Sequence, residues 1–404
     1  MIARHMAKAL KAAARQYPVV TVTGPRQSGK TTLVRATFPR YDYVSLEDPD
    51  QRAFAMEDPR GFLGQFAGKV VLDEVQRVPT LFSYIQGIAD RQDRPGRFIL
   101  TSSQNVLLLQ RISQSLAGRC AILHLLPLSR AELAGKRIMD LSRIGHPPRG
   151  LVKRSSRSAR EDQLFKMLLT GFYPRIHDQR LRPQQWLSNY YQTYLERDVR
   201  DILNVGDIET FGRFVRLCAG RCGQLLNLSS LTADAGVSHT TARRWLSILE
   251  ASFVLSLLRP HHRNFNKRLV KSPKLYFLDT GLLCYLLRIR SPEELAVHAS
   301  RGAVFETWVI SELLKAYYNQ GLQPDVYFWR DSSGHEIDLL IDRSDGLVPV
   351  EIKSGQTVGS DFFKAIDYWR SLSHQATCPA ALVYGGDASY ARNNIAVTCW
   401  MDWG

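Results

Sequence analysis

The segment Gly24-Pro25-Arg26-Gln27-Ser28-Gly29-Lys30-Thr31 sets two glycines, a lysine and a hydroxyl at the spacing G-x-x-x-x-G-K-[ST], the pattern of a phosphate-binding loop. The chemistry needs those residue types. Glycines let backbone N–H groups close around phosphate oxygens, and a helix that follows adds its N-terminal dipole. Lys30 is expected to reach the β- and γ-phosphates, and the Thr31 hydroxyl to ligate Mg²⁺. Thr32 completes the expected contacts. The flanks agree with this, because Val19-Val20-Thr21-Val22 reads as a buried strand and Thr32-Leu33-Val34-Arg35-Ala36 as a helix. The expected ligand is ATP with Mg²⁺.

A second run supplies acids. Val70-Val71-Leu72-Asp73-Glu74-Val75-Gln76 reads as a buried parallel strand ending in two adjacent carboxylates. Asp73 is expected to hold Mg²⁺, directly or through water, and Glu74 to polarise the attacking water. A third strand, Arg97-Phe98-Ile99-Leu100-Thr101, runs into Ser102-Ser103-Gln104-Asn105. Ser103 is expected to sense the γ-phosphate, a plain hydrophilic loop being the alternative. Arg119 stands where an arginine finger could act on the nucleotide of a neighbouring copy, which would require a homo-oligomer. Its alternative is a solvated or core-bridging role.

The C-terminal quarter holds another set. Gly302-Ala303-Val304-Phe305-Glu306-Thr307-Trp308 opens an amphipathic helix carrying Glu306. Three strands follow: Tyr327-Phe328-Trp329-Arg330, then His335-Glu336-Ile337-Asp338-Leu339-Leu340-Ile341, then Leu347-Val348-Pro349-Val350-Glu351-Ile352-Lys353-Ser354. Glu351 and Lys353 lie two apart on a strand and so share a face. Asp338 on the neighbouring strand can meet Glu351 over Mg²⁺, Lys353 can orient water, and Glu306 can add a carboxylate. The arrangement resembles a PD-(D/E)xK nuclease core. The alternative is a nuclease-like fold whose acids cap strands or bind a partner.

Between the two sites lies a basic middle. Residues 136–160 carry Lys136, Arg137, Arg143, Arg149, Lys153, Arg154, Arg157 and Arg160 against Asp140, with the breaker Pro147-Pro148-Arg149-Gly150. Further on, Ser229-Ser230-Leu231-Thr232-Ala233-Asp234-Ala235 reads as a short helix, Gly236-Val237-Ser238 as a turn, and 239–249 as a second helix capped by Ser238. Ala233, Val237, Ala242, Trp245, Leu246 and Leu249 are expected to be buried, leaving His239, Thr240, Arg243 and Arg244 outward. An interval with Arg259, His261, His262, Arg263, Lys267, Arg268, Lys271 and Lys274 then reads as a basic hairpin. Helix-turn-helix plus basic hairpin is a winged-helix pattern facing duplex phosphates, and DNA is the expected partner. A winged helix used only for packing or protein contacts is the alternative.

At 404 residues the chain is too long for one ordinary core. Its 45% hydrophobic and 23% charged content suits a globular protein, and no apolar run reaches bilayer length. No membrane contact is expected. The net charge of +15 favours polyanions. Six scattered cysteines, of which only Cys218 and Cys222 are close, point to free thiols in a cytoplasmic setting. The expected fold class is α/β. A P-loop parallel-sheet core spans residues 1–135, a basic linker and helical lid 136–225, a winged helix 226–294 and a nuclease-like α/β domain 295–404.

Taken together, the loop 24–32, Leu72-Asp73-Glu74-Val75-Gln76, Ser115-Leu116-Ala117-Gly118-Arg119, Leu126-Pro127-Leu128-Ser129-Arg130-Ala131-Glu132-Leu133, Gly171-Phe172-Tyr173-Pro174 and Tyr194-Leu195-Glu196-Arg197-Asp198-Val199 resemble the widespread prokaryotic predicted ATPases of the AAA+ superfamily. Those carry a C-terminal domain of uncharacterised function. The resemblance covers nearly the whole chain and departs at Ser102 and Phe172, where the family usually has glycine. It implies an AAA+-like ATPase. The residues add DNA remodelling or processing, with Mg²⁺-dependent cleavage as one outcome. A DNA-bound motor or switch without cleavage and a signalling NTPase that holds proteins are the alternatives.

Overall fold

The computed structural model describes all residues except 1, 93, 104–115, 149, 154–157, 196–207, 262–269 and 376. The expected DNA contacts Arg263, Lys267 and Arg268, and the family residues Glu196, Arg197, Asp198 and Val199, lie outside the described residues.

The N-terminal sheet has five parallel strands: β1 (Val19–Thr23), β2 (Asp42–Ser45), β3 (Val70–Asp73), β4 (Phe98–Ser102) and β5 (Cys120–His124). Their spatial order is β2-β3-β4-β1-β5. All residues of β1, β3 and β4 are buried, as continuous β-branched and apolar strands covered on both faces should be. This order sets the end of β4 between the phosphate-loop strand and the acid strand.

The second sheet has seven strands, counting β6 (Val152–Lys153), β9 (Val326–Arg330), β10 (Glu336–Arg343), β11 (Gly346–Lys353), β12 (Ala381–Tyr384), β13 (Ala388–Arg392) and β14 (Ile395–Cys399). They run in the order β6-β13-β14-β12-β11-β10-β9. The helix Arg301–Asn319 packs against it through β11, most of its residues buried. β6 comes from the basic linker, so that linker supplies an edge strand to the C-terminal sheet.

In the chain, the helix-turn-helix comes between β5 and β9. Helix Leu228–Ala235 is capped by Asn227 and ends at Gly236, and helix His239–Ala251 is capped by the Ser238 hydroxyl. The burial expected for Ala242, Trp245, Leu246 and Leu249 is observed, whereas Ala233 is exposed. Leu231 and Ala235, four apart, face the core instead, with Thr232 beside them; Ala233 lies two positions from each and so points to the other side, and Val237, in the turn, is half-buried. β7 (Leu255–Leu258) and β8 (Lys274–Phe277) form the antiparallel hairpin stem. The stem docks on the C-terminal sheet, with His261 N donating to Phe328 O (2.7 Å) and Phe328 N to Arg259 O (3.1 Å). One continuous apolar cluster runs from Leu126 through Trp245 and Trp308 to Trp403, joining helices Pro183–Tyr190 and Ile208–Gly220, the helix-turn-helix and the C-terminal helix.

Candidate functional site

The phosphate loop turns tightly from β1 into helix Lys30–Thr37. Gly29 caps that helix at φ 90°, in the left-handed region. A Cβ on Gly24 would lie 2.1 Å from Leu125 O, so no side chain fits there. The loop borders a cavity of about 390 Å³ lined by Arg26, Gln27, Gly29, Lys30, Thr31 and Thr32, with Glu47 and Glu74 opposite. Lys30 Nζ is buried and donates to Gly24 O (3.0 Å) and Pro25 O (2.9 Å). Burial pushes its pKa down to about 8, although Glu74 and Asp73 oppose this. Ser28, within the loop, is buried.

Asp73 is the most constrained acid of the site. It accepts from Thr31 Oγ1 (2.9 Å to Oδ2), Tyr43 OH (2.8 Å) and Thr101 Oγ1. Glu74 takes a left-handed backbone at φ 57° and is held there by Thr101 Oγ1, which accepts from Glu74 N (3.0 Å). Its carboxylate accepts from Ser103 Oγ (2.8 Å) and from Gln76 Nε2. Burial pushes the Glu74 carboxyl up, but the Lys30 charge and those two hydrogen bonds hold it below the usual range. Ser103 therefore sits on Glu74, at the end of β4. Arg119 lies outside the cavity lining and pairs with Asp90 on the surface. Neither Ser102 nor Phe172 takes a left-handed backbone, so neither position demands the family's glycine.

Four participants carry no sequence pattern that reveals them. Tyr43 and Thr101 hold Asp73 from the strands flanking β3. Arg4 clamps the loop, donating to Ser28 O (2.6 Å), Leu126 O (2.7 Å) and Glu132 Oε1 (3.1 Å). Arg175, on the short helix Pro174–Asp178, also lines the cavity. The family segment ending in Pro174 was the available signal for that helix.

In the C-terminal sheet, Asp338 on β10 and Glu351 and Lys353 on β11 come together. Lys353 Nζ bonds Glu351 Oε1 and lies 3.6 Å from Asp338 Oδ2. Glu351 Oε2 is buried without a hydrogen-bond partner. Glu306 approaches from helix Arg301–Asn319. Burial, then the Asp338 charge, pushes the pKa values of Glu306 and Glu351 up. Lys274, expected among the exposed bases of the hairpin, is instead 3% exposed. Its Nζ is 3.2 Å from Glu306 Oε1 and also pairs with Glu336. The reason is the docking of the hairpin stem, which turns β8 inward. Among the described residues, no group of three or more His, Cys, Asp and Glu side chains is arranged to hold a metal ion.

Comparison with known proteins supplies the class. Residues 16–134 match the AAA domain family, 161–293 a domain of unknown function (DUF8612) and 301–402 another domain of unknown function (DUF4143). The uncharacterized protein Rv2008c of Mycobacterium tuberculosis is 32% identical over 360 residues, which cover 88% of this chain and 74% of that protein. The uncharacterized protein Mb2031c of Mycobacterium bovis gives the same figures. The chain belongs to this family of AAA-domain ATPases. Among solved structures, the Walker-type ATPase of Pyrococcus abyssi is 12% identical, with 71% of this chain and 96% of that one covered at a TM-score of 0.45. AMPPCP-bound DnaA of Aquifex aeolicus is 15% identical, with 61% and 85% covered at a TM-score of 0.28.

The helix-turn-helix of this AAA ATPase presents His239, Thr240, Arg243 and Arg244 as exposed residues on one helix. Among the described residues no helix is long and apolar enough to cross a membrane. The six cysteines are free thiols.

Proposed function

We propose that this ATPase couples nucleotide turnover to DNA bound by its helix-turn-helix, and that its C-terminal acids form a divalent-cation site for strand scission. The observation that carries the reading is the exposed row His239, Thr240, Arg243 and Arg244 on the second helix of that motif. Such a row meets duplex phosphates and base edges in the major groove. In the nucleotide cavity, backbone N–H groups of the loop cradle phosphates, Lys30 leaves Gly24 O and Pro25 O for the β- and γ-phosphates, and Arg26 and Gln27 border them. Thr31 and Asp73 offer the hard oxygens that Mg²⁺ prefers and would hold it. Glu74, kept ionised, accepts the proton of the attacking water, and Ser103 keeps Glu74 in place. Arg119 serves a neighbouring copy only in a homo-oligomer.

At the C-terminal site, Asp338 and Glu351 would hold a divalent cation, with the unpartnered Glu351 Oε2 as one free acceptor. Such a cation supplies charge stabilisation for phosphodiester hydrolysis. Lys353 then steadies the developing charge. A second reading, an ATP-driven DNA switch that does not cut, is favoured by one observation: Lys274 already neutralises Glu306.

One experiment separates them. Purified protein is incubated with branched, duplex and single-stranded DNA, with and without ATP and Mg²⁺. Scission abolished by Asp338→Ala supports the nuclease. Remodelling abolished by Lys30→Ala, with no scission in any condition, establishes the switch. Absence of salt-dependent DNA binding would sink both.

A further inference from the structure

The segment ahead of β1 carries no phosphate-binding pattern, yet its Arg4 borders the nucleotide cavity and is tied into the phosphate loop. Arg4 Nη1 donates to Ser28 O (2.6 Å), the carbonyl just before Gly29. Nη2 donates to Leu126 O (2.7 Å), and Nε to Glu132 Oε1 (3.1 Å). One planar guanidinium thus joins three separate segments of chain. Its anchor is fixed. The Glu132 side chain is fully buried and that of Arg4 is 7% exposed. Glu132 Oε1 also accepts from His5 N (2.7 Å), and Oε2 from Ser129 N (2.8 Å), which closes the capping box of helix Arg130–Leu133. The stretch that supplies Leu126 O braces the start of the loop as well. Leu125 N donates to Thr23 O (2.7 Å), and Leu125 O fills the space a side chain on Gly24 would need.

A trans peptide points its C=O and its N–H in opposite directions within one plane. Ser28 O and Gly29 N belong to one such plane, so a donor that holds the carbonyl also sets the direction of the N–H. Gly29, at φ 90°, has no side chain to restrict its backbone, and an outside tie does that work instead. We propose that Arg4 is a positioning residue of the ATPase site, holding the Ser28–Gly29 peptide with Gly29 N–H turned toward the bound phosphates. The proposal rests on the phosphate-cradling reading of residues 24–31. A direct contact between Arg4 and a phosphate needs only a positive charge. Positioning needs the planar fork, because a compact ammonium cannot serve Ser28 O, Leu126 O and Glu132 together.

ADP titrated calorimetrically into the full chain tests this, since ADP carries the phosphates that loop N–H groups cradle. Arg4→Lys should bind ADP about tenfold more weakly than the wild type, the worth of one well-aimed N–H to a charged group. In steady-state ATP hydrolysis its KM should rise by a like factor with kcat little changed, because the bond serves bound substrate and transition state alike. Removing the guanidinium alone leaves Glu132 buried and unpaired, which threatens folding. The double variant Arg4→Met/Glu132→Gln takes away both charges and should show the same tenfold loss. Wild-type ADP affinity in either variant overturns the proposal. In Arg4→Lys that result means that charge alone suffices. In the double variant it means that the tie is purely structural, lowering the Tm of the nucleotide-free chain and sparing the Kd. Lys30→Ala in the same titration keeps the two readings apart. Wild-type ADP affinity there removes the phosphate-loop reading itself. Weak binding by Lys30→Ala beside wild-type affinity in the Arg4 variants removes the role of Arg4 alone.

Discussion

At the scale of single residues, the nucleotide site is a case of legible acids and illegible holders. Asp73 stood out because two carboxylates end an apolar strand, but nothing in the sequence tied Tyr43 or Thr101 to it. Those ties arise from register: β2, β3 and β4 lie side by side, so residues more than twenty-five positions apart meet at the strand ends. Tyr43→Phe removes one donor and leaves Thr31 and Thr101, so ATPase activity should need roughly tenfold more Mg²⁺ with little change at saturation. A Mg²⁺ titration of steady-state ATP hydrolysis reads this, and an unshifted titration would discount the role of Tyr43. A second residue sets an acid limit on stability. His124 is packed between Phe253 and Tyr318, and burial pushes its pKa down to about 4. Its folded pKa lies below the unfolded value of about 6.5, so the neutral form contributes stability that is present above that pH. The contribution drains away as pH falls toward 4, costing on the order of 2 kcal/mol. Glu250, which lines one small cavity with His124, is pushed up by burial, and a carboxyl raised in the folded state works against this loss as pH falls. Denaturant melts of His124→Phe between pH 7 and 4 should show a shallower acid decline than the wild type.

At the scale of elements, local pattern carried far. The phosphate-loop strand and helix, both helices of the helix-turn-helix, and the two strands bearing Asp338, Glu351 and Lys353 all lie where the periodicity put them, within a few residues. What failed was orientation set by tertiary contact. The stem of the basic hairpin looked like an exposed wing because bases crowd it, yet the stem docks on the edge of β9 and carries Lys274 inward. Short β6 was invisible for a related reason, since a two-residue edge strand exists only because β13 offers a partner. The outward bases on helix His239–Ala251 escape this objection, being exposed in the folded chain. Replacing both Arg243 and Arg244 with Ala should weaken duplex DNA binding and flatten the plot of log affinity against log salt by about 2. Fluorescence anisotropy across a salt series measures the slope, and an unchanged slope would place DNA on some other face.

At the scale of the molecule, the parts interlock at the lip of the nucleotide cavity. Glu312 and Lys315, both 1% exposed on the C-terminal helix, pair at 2.9 Å. Glu312 Oε2 accepts from Arg130 N (2.8 Å), just beyond the ATPase sheet, while Lys315 lies 4.0 Å over the Phe172 ring. Phe172 in turn receives Leu128 N on its carbonyl (2.9 Å) and gives its own N–H to Asp279 (2.7 Å). Leu128, Pro174 and Arg175 all line the nucleotide cavity, so the C-terminal helix rests directly on the wall that nucleotide must touch. A wall shared in this way should melt with both of its owners. We expect the full chain to unfold in one dominant calorimetric transition, and a non-hydrolysable ATP analogue at about 100 times its Kd to raise the whole of it by a few degrees, equivalent to about 2.7 kcal/mol. Lys315→Met leaves Glu312 buried and unpaired, a loss of roughly 3–5 kcal/mol at this joint. The single peak should then split, with only the ATPase portion still rising with the analogue. Two transitions already present in the wild type, one of them indifferent to nucleotide, would mean that the joint transmits nothing.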